Sequence, residues 1–550
     1  MPTHDTDLLT RIPLSARTIL HVGLGDSDIA AAYRPMNPTA RLLGLSYGDA
    51  IDADTARDFD QVATADGSGG TLPFDVPHGI DCIIYDQVLE HLEDPWTLVR
   101  QHAEALAPNG VILIHGRNNA HWRLADGLLR GGPVPAGLPG LDVTAVPLHL
   151  EDAGLFPLEP AVQEAAHDEA NRFVAAMAPS LIALGINPDH YRQRCIGSHV
   201  IWRACKAPAQ RLFISGSMLD PVGGVSHVRV VHPLRAMNSD PFVRGAVTDR
   251  IGRSADGDPP HIFVLHRPAL FGERGKRILT ALSEAGYMIV TEFDDHPDHF
   301  DMMRAGGELT FTGVHALQTS TEPLAEELRK YNPEVAVFPN ALLSLPAVKN
   351  FASPESMTFF FGALNREKDW EPYMPVINEV ASLAGERLKF QVVHDGQFFA
   401  ALDTPHKTFT PTCNYDTYQD LLAGSEISFM PLADTPFNRA KSDLKFIEAG
   451  SHRVAALASA IVYENSIADG KNGLIFRDPV QLRLALLRLI ALPGLARRLA
   501  EEARAYVRAE RMMAYQVSTR IAWYRSLLER RDVLEQARRM RLARYAGLAA

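Results

Sequence analysis

Short apolar runs alternate with longer amphipathic stretches along most of the chain. TILHVGLG, RLLGLSY, DCIIYD and GVILIHG come first. RLFISGS, HIFVLHR, YMIVTEF and VAVFPN follow, and TFFFGAL, LKFQVVHD, ISFMPL and VAALAS close the series. Runs this short, apolar throughout, suit strands buried on both faces, and the stretches between them suit helical crossovers. The pattern predicts parallel sheets in α/β layers, three sets in a row. Two breaks separate the sets. One lies at Pro208 in CKAPAQRL, the other in the proline-rich NALLSLPAVKNFASPESMTFFFG. The expected domains are therefore residues 1–207, 208–350 and 351–550. Residues 125–175 contain LLRGGPVPAGLPG and are expected to form a long loop over the first domain.

A length of 550 residues fits several cores rather than one. The net charge of -12 argues against a general nucleic-acid binder, since phosphate contacts need clustered Lys and Arg. Charge is uneven, however. The tail carries Arg525, Arg530, Arg531, Arg538, Arg539, Arg541 and Arg544 against Glu529, Asp532 and Glu535. It reads as a solvated helix, or as a peripheral contact for anionic lipid or a partner. The four cysteines, Cys82, Cys195, Cys205 and Cys413, form no C-x-x-C pair and show no zinc spacing. Reduced thiols and a cytoplasmic setting are expected, at the inner face of the membrane if the protein meets one. The N-terminus lacks the basic-then-apolar layout of a signal peptide, and no apolar run approaches the ~20 residues of a membrane helix.

In the first domain, TILHVGLGDSD is a strand followed by a glycine turn. IDCIIYDQVLEHLEDPWTLVRQHAEALAPNGVILI then reads strand, loop, helix, turn, strand. Asp94 is the expected N-cap and Pro95 the first helical residue, with Pro108, Asn109 and Gly110 turning into the next strand. This order resembles the class I S-adenosylmethionine-dependent methyltransferases over about residues 15–206. The resemblance implies that Gly23 and Gly25 face the cofactor and Asp66 its adenine, with Asp86 in the same S-adenosylmethionine-binding set. Two positions depart from the family. Ser27 stands where a third glycine is usual, and Ser46 where an acidic residue takes the ribose hydroxyls. An active methyltransferase and a degenerate, scaffolding domain both remain open. Glu90 and His91 form either an acid/base pair or a polar cluster at a loop-to-helix junction.

In the second domain, RLFISGSMLDPVGGVSHVRVVHPLRAM is a strand, a loop with Gly223 and Gly224, and a helix. The loop is a backbone-lined pocket for a diphosphate or acceptor, or a plain turn. A helix is expected to start near Thr321 and Glu322. EFDDHPDHF gathers Asp294, Asp295, His296 and His299, which suits a metal site or an acceptor-side or structural loop. In the third domain, KSDLKFIEAG crowds Lys441, Asp443, Lys445 and Glu448 before Gly450, where the helix is expected to stop. Ser442 is its expected N-cap.

FFGALNREK, the E-A-G of that helix and the later DGKNGLIF turn resemble the retaining GT-B-fold glycosyltransferases over about residues 210–520. The resemblance implies a nucleotide-diphosphate sugar as donor and no metal. Lys368, six residues after Gly362, matches the family's phosphate lysine. Ala363 stands where the family often has arginine, so Arg366 is the candidate substitute. Glu448 matches the second carboxylate of the family's paired-glutamate motif and would accept the ribose hydroxyls, whereas the first falls at Ala440. Lys441 or Lys445 would then contact phosphate or sugar. Otherwise Lys445 and Glu448 are an i,i+3 surface pair worth about 0.2–0.5 kcal/mol.

Together these readings give an α/β fold of three Rossmann-like domains: a methyltransferase-like domain, then a two-lobed GT-B glycosyltransferase. The expected catalytic set is Lys368, Arg366 and Glu448. The expected donor-binding set is Gly223, Gly224, Gly362, Lys441, Ser442, Lys445 and Glu448. The expected reaction is sugar transfer to a glycan, lipid-linked glycan or protein acceptor, without nucleic acid. The alternatives are a bifunctional glycosyltransferase and methyltransferase, or a first domain that serves as a docking scaffold.

Overall fold

The computed structural model describes the whole chain except residues 1–6, 26–27, 49, 66–70, 133–139, 143, 165–166, 219–225, 249, 252–260, 300–307, 349–355, 364–365 and 549–550. The chain divides into two compact units. One comprises Met1–Arg211 with Asn238–Phe242, the other Leu212–Met237 with Val243–Ala550.

The first unit is built on β1 (Thr18–Val22), β2 (Arg41–Tyr47), β3 (Gln61–Ala65), β4 (Ile80–Asp86), β5 (Leu106–Arg117), β6 (Phe156–Pro157), β7 (Ala161–Glu164) and β8 (Gly197–Cys205). They form one sheet in the order β3-β2-β1-β4-β5-β8-β6, with β7 also on β8. The first five strands are parallel. β8 runs antiparallel to β5, β6 and β7, so this sheet is mixed rather than parallel as expected. An apolar run reports burial but not direction, which the connection sets. The helix Pro95–Glu104 begins as expected, with Asp94 accepting from the Thr97 amide at 3.1 Å. Pro108-Asn109-Gly110 is no separate turn. It lies inside β5, where the register with β4 shifts. The segment read as a long loop instead carries the helices Trp122–Leu129, Val146–Asp152 and His167–Ala183, with β6 and β7 between the last two.

The second unit holds two sheets. β9 (Leu212–Ser217), β10 (Val243–Val247), β11 (Ile262–His266), β12 (Met288–Glu292), β13 (Ala316–Thr319) and β14 (Val335–Val337) are parallel, in the order β10-β9-β11-β12-β13-β14. β15 (Met357–Gly362), β16 (Leu388–Val393), β17 (Lys407–Thr410), β18 (Ile427–Met430), β19 (Ala455–Ser459) and β20 (Leu474–Phe476) are parallel in the order β17-β16-β15-β18-β19-β20. That order gives the doubly wound nucleotide-binding topology. With the first unit, this makes three Rossmann-like α/β layers. Each has its own apolar core: Ile83 and Ile112 in the first unit, Ile289 and Leu317 in the first lobe of the second unit, and Phe359 and Leu457 in its second lobe. Thr321 caps the helix Glu322–Arg329, as expected.

The C-terminal helices pack onto the first lobe of the second unit. Arg538 is buried and donates to the Gly313 carbonyl and Ser283 Oγ. Arg541 donates to the Thr312 and Val314 carbonyls, and Arg530 pairs with Glu334. Of the tail read as a solvated helix or a peripheral contact, Arg530, Arg538 and Arg541 thus bond within the second unit. Among the described residues, no single helix is long and apolar enough to cross a membrane.

Candidate functional site

In a doubly wound sheet, the crevice opens where strand order reverses, beyond the carboxyl ends of the strands. In the second lobe that point lies between β15 and β18. A cleft of about 210 Å³ sits there, lined by Gly362 after β15, Met430 after β18, Lys445 and Glu448 on the helix Leu444–Ser451, and Arg267 and Asn340 from the first lobe.

Gly362 leaves no room for a side chain. A Cβ there would come within 2.7 Å of the Tyr418 ring. Its carbonyl accepts from Lys445 Nζ, which also lies 5.6 Å from the centre of that ring. Burial pushes the Lys445 ammonium down to about 8, reinforced by Arg366 and Lys441 and opposed by Glu448. Burial pushes the Glu448 carboxyl up, against Lys445 and hydrogen bonds from Tyr415 and Gln419. Both donors reach Glu448 Oε1 at 3.0 Å. The alternative of Lys445 and Glu448 as a surface pair therefore fails, because Glu448 is only 5% exposed.

Two further cations line the cleft. Arg366 is held by Asp369 at 3.0 Å and Asn438 at 2.9 Å. Lys441 meets Asp295 of the first lobe at 2.7 Å, and burial lowers its pKa despite that partner. Arg267 binds Asp294 at 2.6 Å. Burial opposes ionisation of Asp294, but Arg267 and His266 hold its carboxyl well below the usual range. The acidic pair once open to a metal reading is thus matched with cations. Among the described residues, no group of three or more His, Cys, Asp or Glu is placed to hold a metal. The site holds three cations on the second lobe, one carboxylate behind them and the start of a helix. That arrangement can bind a diphosphate and hydrogen-bond a diol.

Lys368 is exposed and does not line the cleft. It sits in the short helix Glu367–Trp370, where Asp369 and Trp370 take the buried face. Ser442 lines the cleft but is no N-cap. Asp443 occupies that position, and Ser442 Oγ accepts from Asn340 Nδ2 at 2.7 Å. Asp443 in turn binds Arg511 and Ser466. Gly450 does not end the helix. It lies within it, where a Cβ would meet Val507 at 3.1 Å and the Ala503 carbonyl at 3.2 Å. Ala440, the position of the missing carboxylate, is 4% exposed and packs in the apolar core of the first lobe. A glutamate there would be buried among hydrocarbon. Gly223, Gly224, Asp66 and Ser27 lie outside the described residues, as does the His299 side chain.

Sequence reasoning missed Arg267, Asn340, His394 and Tyr418, all of which line the cleft. Three of them shared a signal: each follows an apolar strand at its carboxyl end. Arg267 and His394 also have left-handed backbones, φ 46° and 74°, a strain that gathers at functional sites.

In the first unit, Gly23 has φ 82°, and a Cβ there would lie 2.6 Å from Val88 Cβ and 2.7 Å from the Asp86 carbonyl. Its positive φ and its packing against the end of β4 and Val88 both demand a glycine. Gly25 also has a positive φ, with open space beside it. Asp86 is not presented to a ligand. Its carboxylate lies 2.7 Å from His115 Nδ1 and 3.6 Å from His21 Nε2, all three being buried. Burial opposes its ionisation, but the two histidines hold it well below the usual carboxylate range. Ser46 is buried at the end of β2. Among the described residues, a buried serine thus stands at the end of β2, and the carboxylate at the end of β4 is taken up by two histidines. Glu90 and His91 lie in a single 3-10 turn, and Glu90 Oε1 accepts from the Arg117 amide at 3.5 Å.

The family model described as a methyltransferase domain matches residues 20–114. Among solved structures, sucrose-phosphate synthase from Thermosynechococcus elongatus aligns at 14% identity over 58% of this chain and 100% of its own, with a TM-score of 0.45. HepE from Anabaena, in complex with UDP-glucose, aligns at 12% identity over 57% of this chain and 99% of its own, with a TM-score of 0.42. A variant of S. aureus TarM in complex with Fondaparinux, alpha-GlcNAc-glycerol and UDP aligns at 12% identity over 48% of this chain, with a TM-score of 0.38. That alignment covers 55% of TarM, so the chain spans about half of its length. No curated protein matches this chain.

Proposed function

We propose that the second unit is a glycosyltransferase that takes a sugar from a nucleotide-diphosphate donor. One observation carries this reading: Arg366, Lys441 and Lys445 line the cleft at the reversal point of a doubly wound sheet, with buried Glu448 beside them. The cations meet the diphosphate, and their charge stabilises the leaving phosphate as negative charge develops on it. Glu448 accepts from the ribose hydroxyls. Arg267 and Asn340 close the cleft from the first lobe. Retention of configuration, transfer without a metal, and a glycan, lipid-linked glycan or protein acceptor follow from the family resemblance and belong to the same proposal. A thermal-shift screen of nucleotide sugars against the full chain tests it, because a ligand of the folded state raises its apparent stability. At least one donor should raise the melting temperature in proportion to the logarithm of its concentration. No shift with any donor would reject the reading.

The match of residues 20–114 to a methyltransferase domain favours a second reading, in which the first unit methylates the same glycan. The occupied state of Asp86 and the buried serine at the end of β2 oppose it. We place the first unit as a scaffold. Calorimetry with S-adenosylmethionine separates the two: saturable binding that a Gly25 substitution abolishes would restore the methyltransferase.

A further inference from the structure

The carboxylate of Glu448 is oriented by more than its own helix. Tyr415 Oη and Gln419 Nε2 converge on Oε1, and His452 Nε2 lies 2.8 Å from the Gln419 amide oxygen behind them. Two donors on one oxygen fix the plane of the carboxylate and leave Oε2 for a ligand. Tyr415 belongs to the second-lobe helix Tyr415–Ala423, yet its ring stacks on His227 of the first lobe, with centroids 5.2 Å apart and planes 14° from parallel. His227 opens a π-helical turn, His227–Val231, a rare geometry concentrated at functional sites. The same turn carries buried Arg229, which donates to the side chains of Glu292 and Asn340. Nδ1 of His227 is buried without a partner, so the aromatic stack rather than that nitrogen fixes the ring.

We propose that Tyr415 is a positioning residue that couples closure of the two lobes to the ribose seat: His227 of the first lobe holds its ring, and its hydroxyl pins Glu448 for the ligand. This rests on the reading of Glu448 as the ribose acceptor. With the lobes together, Glu448 presents one fixed oxygen. With the lobes apart, the ring loses its stack, the hydroxyl turns to water, and Glu448 keeps only Gln419. The donor ribose is then gripped in the closed state alone, which sets the order of events as binding, closure and transfer.

The test uses the full chain and calorimetric binding of UDP and GDP against their 2′-deoxy and 3′-deoxy counterparts. The wild type should prefer the ribonucleotide. Tyr415→Phe keeps the ring and removes the hydroxyl, and should narrow that preference by roughly fivefold to tenfold. His227→Ala should narrow it similarly, the two changes should not add, and His227→Phe should restore most of it. A merely structural role would weaken ribo and deoxy forms alike. Variants that stay folded by thermal melting and keep the full preference would overturn the proposal. A wild type that binds no nucleotide, or binds ribo and deoxy forms equally, would instead remove the ribose reading beneath it.

Discussion

Lys445 and Glu448 stand three residues apart on the helix Leu444–Ser451, and burial moves their titrations toward each other. The ammonium is pushed down to about 8 and the carboxyl is pushed up. Each opposes the effect of burial on the other, and hydrogen bonds join Lys445 to Gly362 and Glu448 to Tyr415 and Gln419. A buried pair of this kind contributes little net stability, because desolvation of both charges offsets their attraction.

The sign of its pH dependence follows. Below about pH 8 Lys445 carries the charge a diphosphate needs, and above it that charge is lost. Donor affinity should hold through neutrality and fall as pH rises through about 8. A guanidinium does not neutralise there, so Lys445→Arg should move the break upward. The KM for the donor, measured from pH 6.5 to 9.5, checks this, and a flat wild-type profile would contradict it.

Lys445 and Lys368 make opposite predictions. Lys445 lines the cleft, whereas Lys368 is exposed and does not. Lys445→Ala should lower kcat/KM for the donor by about a hundredfold or more, the usual cost of one preorganised charge-stabilising donor. Lys368→Ala should leave it within about twofold. Steady-state kinetics on the two variants side by side decide which lysine meets the phosphates.

Strand positions were legible because buried strands leave unbroken apolar runs, and all twelve quoted runs contain a strand. The direction of β8 was not, since SHVIWRAC buries as well antiparallel as parallel. At the site, the spacing from Gly362 pointed to Lys368. Yet the chain enters a short helix there, and successive residues turn by about 100°, so Arg366 lines the cleft while Lys368 faces water. Ala440 looked like a gap in a carboxylate pair, and its packing in the first-lobe core explains the gap. The stack of His227 on Tyr415 joins residues far apart in sequence and left no local signal.

The C-terminal tail should confer acid sensitivity. Burial opposes ionisation of Glu535, but hydrogen bonds from Arg538 and Arg539 bring its pKa down to about 2. Burial brings its neighbour His315 down to about 4. Both folded values lie below the ordinary ones, so the unfolded chain binds more protons in acid. Stability from Glu535 is present above its ordinary pKa and lost as pH falls toward about 2. Stability from neutral His315 is lost as pH falls from about 6.5 toward 4. Arg538→Ala should move the acid-unfolding midpoint, followed by circular dichroism, to higher pH. An unchanged midpoint would mean the tail does not support the first lobe.

Gly23 should be needed for folding of the first unit whether or not that unit binds a cofactor. Its φ of 82° and the 2.6 Å approach of a Cβ to Val88 make alanine both strained and crowded. Gly23→Ala should cost about 2 kcal/mol or more. Gly25→Ala, with open space around it, should cost only its backbone strain, about 1 kcal/mol. Denaturant melts of both variants check the difference, and equal losses would contradict the packing account.

The cleft around Lys445 and Glu448 is proposed to turn over a nucleotide sugar. Release of nucleoside diphosphate from a panel of nucleotide sugars, with wild type and Glu448→Ala compared at equal melting temperature, tests it most directly. The wild type should turn over or slowly hydrolyse at least one donor, and the variant should lose about a hundredfold. No release with any donor, or release that Glu448→Ala leaves unchanged, would contradict it.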